Sequence, residues 1–202
     1  MTPDPWHPGA MDPRLPKELA APLGRYLVLL ERWNRTHALT ALPASERKEE
    51  LLLDAAALLP FLADLPPGSR VVDLGTGMGS PAVVLALARP DLEVLGVDSA
   101  AKKLAFLRQA VMELPVPNLK AVQGRLEDLP SLQADWGTAK ALGSLSQLTA
   151  WWSRHGKPGA PFFALKSRDW AAEALPVGWQ ATPHPYSLPT RGDRVVLELR
   201  AE

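Results

Sequence analysis

The hydrophobic positions follow a helical period in the first third of the chain. From about Leu15, apolar side chains recur every three or four residues, which predicts a helix with one buried face. The positions on this face are Leu19, Leu23, Tyr26, Leu27, Leu30 and Trp33. A second helix is predicted over residues 45–62, because Ser45 after Pro43 is a suitable N-cap and an amphipathic stretch follows it.

Beyond Pro66-Pro67-Gly68, short apolar runs alternate with helical patterns. The predicted strands cover residues 71–74, 92–97, 119–122 and 161–165, and the predicted helices begin at Pro81, cover residues 100–114 and follow Gly143. Strands separated by helices of this length indicate a parallel, doubly wound sheet. Residues 177–181 and 194–199 have no helix between them, so we expect them to form an antiparallel hairpin that closes the sheet.

Length and composition fit a single globular domain. The chain has 202 residues, of which 47% are hydrophobic and 22% charged. Residues 1–13 are rich in Pro, Gly and polar groups, and we expect a flexible N-terminal segment there. Residues 14–202 then form one domain, in which N-terminal helices at 14–65 precede a Rossmann-like core at 66–202.

The composition also excludes several classes of site. Without cysteine there is no disulfide, iron–sulfur cluster or Cys-type zinc site, and the four histidines show no ligand spacing, so no metal is predicted. The N-terminus has no signal-peptide pattern, and the longest apolar run, residues 55–63, is too short to cross a bilayer. These features predict a soluble cytoplasmic protein with no membrane partner.

The net charge of zero argues against a strong general binder of nucleic acid, but the charges are unevenly distributed. Residues 1–100 hold 9 Lys and Arg against 13 Asp and Glu, whereas residues 101–202 hold 13 against 9. A polyanion would therefore favour the second half of the chain. A solvated surface of mixed sign is the alternative.

The stretch VVDLGTGMGSPAVVLALARP places a glycine-rich loop between a strand and a helix. A Walker A loop is excluded because the stretch has no lysine. A dinucleotide fingerprint would need its third glycine at the position of Ser80. The spacing Asp73-x-Gly75-x-Gly77-x-Gly79 fits S-adenosylmethionine better, since this ligand is cationic and has no pyrophosphate.

Asp98 supports the same ligand. It ends the next predicted strand, 23 residues after Gly75, where nucleotide-binding α/β folds place the acid that binds ribose hydroxyls. A tight turn followed by an incidental aspartate is the alternative interpretation, and it has to explain both features separately.

From the glycine loop to GRLEDL, the sequence resembles the bacterial 16S rRNA guanine-N7 methyltransferase family, known as RsmG or glucose-inhibited division protein B. YLVLLERWNRTHALTAL, LLLDAAALLP, ADWGTAKAL, GAPFFALKS and YSLPTRGDRVVLELR are similar to further family segments, in unbroken order over residues 15–200. The resemblance implies a class I methyltransferase fold, with a mixed, mostly parallel sheet, an antiparallel C-terminal hairpin and preceding N-terminal helices.

The resemblance also implies roles for individual residues. Asp73 is the acid just before the loop, and Gly75, Gly77 and Gly79 would wrap the methionine end of S-adenosylmethionine. Asp98 would hold the ribose. Leu126 and Glu127 would face the adenine through their backbone. Lys140 is the predicted catalytic residue, at the mouth where the methyl group is transferred. Lys166 and Arg194 fall on the RNA-binding basic face. The alternatives are that the two lysines are solvated surface charges, that Arg194 is a salt-bridge partner in the hairpin, and that Trp33 belongs to the core.

Several residues depart from the family pattern, and they fall on the substrate side. Ala38 replaces Asn, Leu51 replaces His, Ser80 replaces Phe, and Ala139-Lys140 replaces Ser-Arg. The cofactor side is intact. These departures bear on the RNA target and on activity more than on cofactor binding.

The implied reaction is methylation of N7 of a guanine in 16S rRNA, by a monomer acting on the RNA, the small ribosomal subunit or an assembly intermediate. N7 carries a lone pair and no proton, so no general base is needed and alignment is the main requirement. The chain lacks the Asn/Asp-Pro-Pro-Tyr/Phe motif of amino-methylating enzymes, which also favours a ring nitrogen. The alternatives are a methyltransferase for another acceptor and a non-catalytic homologue that binds cofactor or RNA.

Overall fold

The computed structural model describes residues 13–202. The predicted flexible segment at residues 1–13 therefore lies, apart from its last residue, outside the described residues. None of the helices in the described part is both long and apolar enough to cross a membrane.

A seven-stranded sheet forms the centre of the molecule. Its strands are β1 (Arg70–Leu74), β2 (Glu93–Asp98), β3 (Leu119–Gln123), β4 (Trp136–Lys140), β5 (Phe162–Ser167), β6 (Trp179–Leu188) and β7 (Gly192–Ala201). Their order is β3-β2-β1-β4-β5-β7-β6. β1 to β5 run parallel to one another, and β7 runs antiparallel to both of its neighbours, β5 and β6. The predicted fold class is confirmed.

The helices are α1 (Ala20–His37), α2 (Asp54–Ala56), α3 (Ala82–Ala88), α4 (Ala101–Glu113) and α5 (Leu145–His155). Ser144 caps α5 in a capping box with Gln147, which explains why this helix begins directly after Gly143. The start of α3 and both ends of α4 lie within one residue of those predicted.

Alternate residues of the strands enter two separate cores, one on each face of the sheet. Val71 of β1 belongs to the cluster beneath α1, α3 and α4, and Val72 belongs to the cluster beneath α5. Tyr26 and Phe106 contact one another in the first cluster, with ring centroids 6.0 Å apart. Trp33 also packs against Phe106, so its assignment to the core is confirmed.

The predicted regular helix at residues 45–62 is wrong. The segment 44–62 is instead a chain of short pieces: 3-10 turns at Ala44–Glu46 and Leu59–Leu62, a π-helical stretch at Lys48–Leu53, and α2. Two carbonyls of the π-helical stretch accept hydrogen bonds from side chains of the sheet side: that of Glu50 from the Lys140 ammonium group and that of Leu51 from the Ser80 hydroxyl group. Side chains inserted in this way widen a helix.

The C-terminal hairpin is confirmed, but its strands are longer than predicted, at ten residues each. Pro183 and Pro185 interrupt the strand pattern of β6 in the sequence. Both are tolerated because β6 is the edge strand of the sheet, where a missing N–H group leaves no neighbouring strand unpaired.

The turn after α1 is fixed by Asn34 and Thr40. The Asn34 side chain donates to the Thr40 carbonyl (3.0 Å) and accepts from the Thr40 N–H group (2.8 Å). Ala38 takes a left-handed conformation with φ of 46°, which asparagine adopts more readily than alanine. Substitution at Ala38 therefore affects the turn of the backbone.

Asp73 connects the end of β1 to the start of α3. Its side chain is completely buried, and Oδ2 accepts a hydrogen bond from the Ala82 N–H group at 3.2 Å. Burial raises the pKa of Asp73 to about 7, since the charged form loses its hydration. The folded protein therefore retains a proton that the unfolded chain releases near pH 4.

This proton makes a measurable contribution to stability. Between about pH 4 and about pH 7 the unfolded chain has released the proton and the folded protein has not, so raising the pH removes stability. We expect the free energy of unfolding of the wild type to fall relative to Asp73→Asn by up to about 1.4 kcal/mol per pH unit in this window. Urea unfolding of both proteins at several pH values measures the difference in their free energies of unfolding. The contributions of the other titratable groups cancel in this difference. Parallel pH curves would show that Asp73 is ionised throughout.

Candidate cofactor and substrate site

The candidate site lies at the carboxyl edge of the sheet, where the chain reverses its direction of winding. β2 and β3 lie on one side of β1, and β4 and β5 lie on the other. In open α/β sheets, ligands bind in the crevice formed at such a switch point. Here the glycine loop leaves β1 beside the end of β4, and a cavity of about 420 Å³ opens between them.

The three glycines of the loop serve different purposes. All have positive φ, at +70° for Gly75, +57° for Gly77 and +100° for Gly79. A Cβ on Gly75 would lie 2.3 Å from Leu142, and one on Gly79 would lie 2.7 Å from Leu107, so these two glycines permit close packing. A Cβ on Gly77 would meet no atom within 4 Å, and Gly77 lines the cavity.

Asp98 holds the loop in place. Its Oδ2 accepts from the Gly77 N–H group at 2.9 Å, and its Oδ1 accepts from the Ala100 N–H group at 2.8 Å. Each carboxylate oxygen can accept a second hydrogen bond, so the side chain still has capacity for a pair of ribose hydroxyls. The loop is further fixed because the Tyr26 hydroxyl donates to the Met78 carbonyl at 3.1 Å.

Three other predicted cofactor residues do not line this cavity. Asp73 is buried behind the loop. The Leu126 carbonyl accepts from Nε2 of His155 at 2.8 Å, and the Glu127 carboxylate accepts from Nε1 of Trp151 at 2.8 Å. The segment nevertheless begins close by, since the N–H group of Gly124 donates to the Asp98 carbonyl at 3.0 Å. Contact of these residues with a cofactor stays a prediction.

Lys140 lines the same cavity and is held by acids from the N-terminal segment. Its Nζ is 2.7 Å from Oδ2 of Asp54, and it donates to the Glu50 carbonyl. Asp54 also accepts a hydrogen bond from the Tyr186 hydroxyl, and burial together with this carboxylate raises the pKa of Tyr186. The Lys140 side chain is only 18% exposed. The alternative of a solvated surface charge is therefore wrong for Lys140.

A second cavity, of about 340 Å³, adjoins the first and shares Lys140 with it. Lys166 and Arg194, the other two predicted basic residues, lie on its wall. Lys166 donates to the Gly143 carbonyl at 2.7 Å and pairs with Glu173 at 2.8 Å, and its side chain is 14% exposed. It is likewise not a solvated surface charge. The structure thus brings all three predicted cations to one place.

Arg194 combines a hairpin role with a place in the second cavity. Its Nη1 donates to the Arg191 carbonyl at 2.8 Å, within the turn region between β6 and β7. Its Nη2 lies 3.3 Å from Oε1 of Glu50, on the N-terminal segment. The alternative of a hairpin partner is thus part of the structure, although Arg194 also reaches beyond the hairpin.

The acids of the site were not predicted from the sequence. Glu50, Asp54 and Glu173 all line the second cavity. Asp54 had a signal, since it is a lone acid within the apolar run LLLDAAALLP. Glu50 and Glu173 had none, because nothing near them in the chain distinguishes them from other exposed acids.

Three of the residues that depart from the family pattern lie together. Leu51, Ser80 and Lys140 all line the first cavity, and the Ser80 hydroxyl donates to the Leu51 carbonyl at 2.6 Å. Because this cavity also contains the glycine loop, the substitutions change the wall of the candidate cofactor cavity itself.

Comparison with known proteins agrees with this geometry. Residues 20–178 match the GidB family, described as rRNA small subunit methyltransferase G. A ribosomal RNA small subunit methyltransferase G of Xanthomonas euvesicatoria is 38% identical over 187 residues, covering 90% of this chain and 86% of the relative. The protein of the same name from Neisseria gonorrhoeae is 35% identical over 158 residues, covering 78% of this chain and 75% of the relative.

Solved structures share the fold at low sequence identity. A putative O-methyltransferase from Klebsiella pneumoniae has a TM-score of 0.58 and 18% identity, covering 89% of each chain. TrmN from Thermus thermophilus has a TM-score of 0.57 and 23% identity, covering 81% of this chain and 55% of that one.

The family match covers most of the chain, the relatives align over nearly the whole domain, and the glycine loop and Lys140 occupy one cavity. The chain belongs to the rRNA small subunit methyltransferase G family.

Proposed function

We propose that the protein transfers the methyl group of S-adenosylmethionine to N7 of a guanine in 16S rRNA. Membership of the rRNA small subunit methyltransferase G family carries this proposal. The structure supports it with one cavity that is lined by both a cofactor-type loop and a fixed cation.

The residues present fit the cofactor. Gly77 leaves open space where any side chain would project, and the Asp98 carboxylate has acceptor capacity for two ribose hydroxyls. When bound there, S-adenosylmethionine would supply a methyl group already activated by its sulfonium. The fit leaves the protein with the task of orienting the acceptor.

Lys140 is suited to that task. An ammonium group has three N–H donors, and the hydrogen bonds to Asp54 and to the Glu50 carbonyl use two of them. The third can donate to O6 of guanine, which lies beside N7 on the same edge of the base. The N7 lone pair then stays free to attack. Because the Lys140 ammonium group is held in place, its hydrogen bond restricts how the guanine can rotate.

The guanine has to leave any stacked or paired position to enter the first cavity. An exposed loop of the RNA in the small ribosomal subunit or in an assembly intermediate meets this requirement. Lys166 and Arg194 in the second cavity would then contact the RNA backbone beside the target base.

The cofactor proposal is tested at Asp98. We expect Asp98→Asn to weaken binding of S-adenosylmethionine by about 1–3 kcal/mol, roughly 5- to 150-fold, because charge-assisted hydrogen bonds become neutral ones. Isothermal titration calorimetry measures the affinity. Asp91→Asn, which removes an exposed carboxylate paired with Arg89, serves as the control and should bind normally. No binding by the wild type would overturn the proposed function.

The loop is tested at Gly77. We expect Gly77→Val to abolish cofactor binding while the protein stays folded, because Gly77 lines the cavity and a Cβ added there meets no protein atom within 4 Å. Gly68→Val is a matched control: Gly68 also has positive φ, at +81°, and no atom within 4 Å of an added Cβ, but it precedes β1 at the opposite end of the strand. Both variants carry similar backbone strain. Equal cofactor affinity in the two variants would show that the loop does not hold the ligand.

The role of Lys140 is tested by single-turnover methylation of small ribosomal subunits that lack the modification. We expect Lys140→Gln to slow methyl transfer roughly 10- to 100-fold, the loss of about 1.5–3 kcal/mol of transition-state stabilisation, with cofactor affinity nearly unchanged. Lys140→Arg should keep or raise the rate, since a planar guanidinium can hold the base at two points.

A control is needed because Lys140→Gln leaves Asp54 buried without its cation, which costs about 3–5 kcal/mol of stability. The double variant Lys140→Gln/Asp54→Asn removes both charges and should recover stability but not rate. Equal rates for all variants would make Lys140 a bystander. Bound cofactor with no transfer by the wild type would favour the non-catalytic homologue.

A further inference from the structure

The second cavity has balanced charges in the free protein. Its cations are Lys140, Lys166 and Arg194, and its acids are Glu50, Asp54 and Glu173. Each of the three cations lies within 4 Å of one of these carboxylates. An RNA phosphate entering the cavity would therefore find its cations already paired, and at least one carboxylate would have to give way.

Two of the acids are fixed by other parts of the fold. Asp54 is buried and accepts the Tyr186 hydroxyl besides pairing with Lys140. Glu173 accepts from the Leu145 N–H group at 2.8 Å, at the start of α5, besides pairing with Lys166. Displacing either carboxylate would leave a donor of the scaffold without its partner.

Glu50 differs from both. Within the described part of the chain, the contacts found for its carboxylate are all to cations: Nε of Arg191 at 2.8 Å, Nη2 of Arg194 at 3.3 Å and Nζ of Lys140 at 3.8 Å. Burial opposes ionisation, but the hydrogen bond from Arg191 and the neighbouring Lys140 and Arg194 lower the pKa of Glu50, so it is charged at neutral pH. An anion that contacts two guanidinium groups and lies near an ammonium group has the surroundings typical of a bound phosphate.

We propose that the Glu50 carboxylate occupies, in the free protein, the position that a phosphate of the RNA takes in the complex. Glu50 thereby acts as a specificity-determining residue: an RNA binds the cavity only if its other contacts repay the displacement of this carboxylate. The inference rests on the proposed function for the identity of the polyanion. It goes further by naming the side chain that moves and the cations that change partner.

The contacts of Glu50 allow such an exchange. Its backbone carbonyl is bonded to Lys140, so the main chain can stay in place while the carboxylate turns away. Arg191 retains its second acid, Glu46, at 3.2 Å, and Arg194 retains the carbonyl of Arg191. An RNA that also places a guanine in the first cavity gains enough contacts to displace Glu50. A random RNA gains fewer, which suppresses non-specific binding by a protein whose net charge is zero.

The neighbouring residue provides a matched control. The Glu49 carboxylate accepts from the N–H group and the hydroxyl of Thr190, each at 2.9 Å, and neither donor is charged. Glu49→Gln and Glu50→Gln make the same change in net charge on adjacent residues. A general electrostatic effect on RNA affinity is therefore equal in the two variants, whereas release of the cations occurs only in Glu50→Gln.

The experiment measures binding of a fluorescent, unstructured 20-nucleotide RNA by anisotropy across salt concentrations. We expect Glu50→Gln to bind it about tenfold more tightly than Glu49→Gln, with a slope of log K against log salt steeper by about 0.7 for each extra phosphate contact. Glu50→Asp keeps the charge and should resemble the wild type. Calorimetry with S-adenosylmethionine and thermal unfolding verify that each variant is folded.

Equal affinity of Glu50→Gln and Glu49→Gln would overturn this inference, as would weaker binding by both Glu50→Gln and Glu50→Asp, which indicates a structural role. Methylation of small ribosomal subunits by the wild type is measured in parallel. If the wild type methylates the subunits but Glu50→Gln binds the 20-nucleotide RNA no more tightly than Glu49→Gln, the proposed function stands and this inference is overturned. If Glu50→Gln binds the RNA more tightly but the wild type does not methylate the subunits, displacement of the Glu50 carboxylate is supported and the proposed reaction is overturned.

Discussion

The ion pair between Lys140 and Asp54 determines how the N-terminal segment and the sheet fit together. Both side chains are largely shielded from water, and a buried charge without its partner is costly. Asp54 lies on α2 and Lys140 ends β4, so the pair can form only if the segment 44–62 lies against the carboxyl edge of the sheet. Tyr186 of β6 donates to the same carboxylate and extends the connection to the far edge of the sheet. The wall between the two cavities follows from these contacts.

The sequence predicted most of the fold because its elements depend on local patterns. Short apolar runs separated by helices define β1, β2, β3 and β5, whereas β4 was expected only from the family resemblance. The start of α3 and both ends of α4 differ from prediction by a single residue. The regular helix predicted for residues 45–62 was wrong. Pro60 opposes an α-helix near the end of this segment. Earlier in the segment, two carbonyls accept from Ser80 and Lys140, which lie 29 and 90 positions further along the chain and are not part of the local pattern. β6 was predicted too short because proline usually interrupts a strand. The position of β6 at the edge of the sheet, where proline is tolerated, is known only from the topology.

The candidate site was predicted unevenly for the same reason. The glycine spacing and Asp98 were identifiable, because a loop that contacts a ligand needs particular backbone conformations within a few residues. The three predicted cations do meet at one edge. Lys140 and Lys166 lie at the carboxyl ends of the parallel strands β4 and β5, and Arg194, near the start of the antiparallel β7, pairs with Ser167 at the same edge. Their acidic partners were missed, because the partner of a charge is selected by packing between distant elements. Glu49 and Glu50 illustrate this: they are identical and adjacent in the sequence, but one binds a threonine and the other binds three cations.

Lysine in place of the family's arginine is consistent with the surroundings of Lys140. Under the proposed function, an unpaired cation on the wall of the first cavity would repel the cationic cofactor. The Asp54 carboxylate at 2.7 Å removes most of that repulsion while leaving one N–H donor of the lysine unused. Leu51 lines the same cavity where the family has histidine, so no second titratable cation is added there. The substituted wall thus offers one oriented donor and little net charge, which suits a neutral base that needs alignment and no proton transfer.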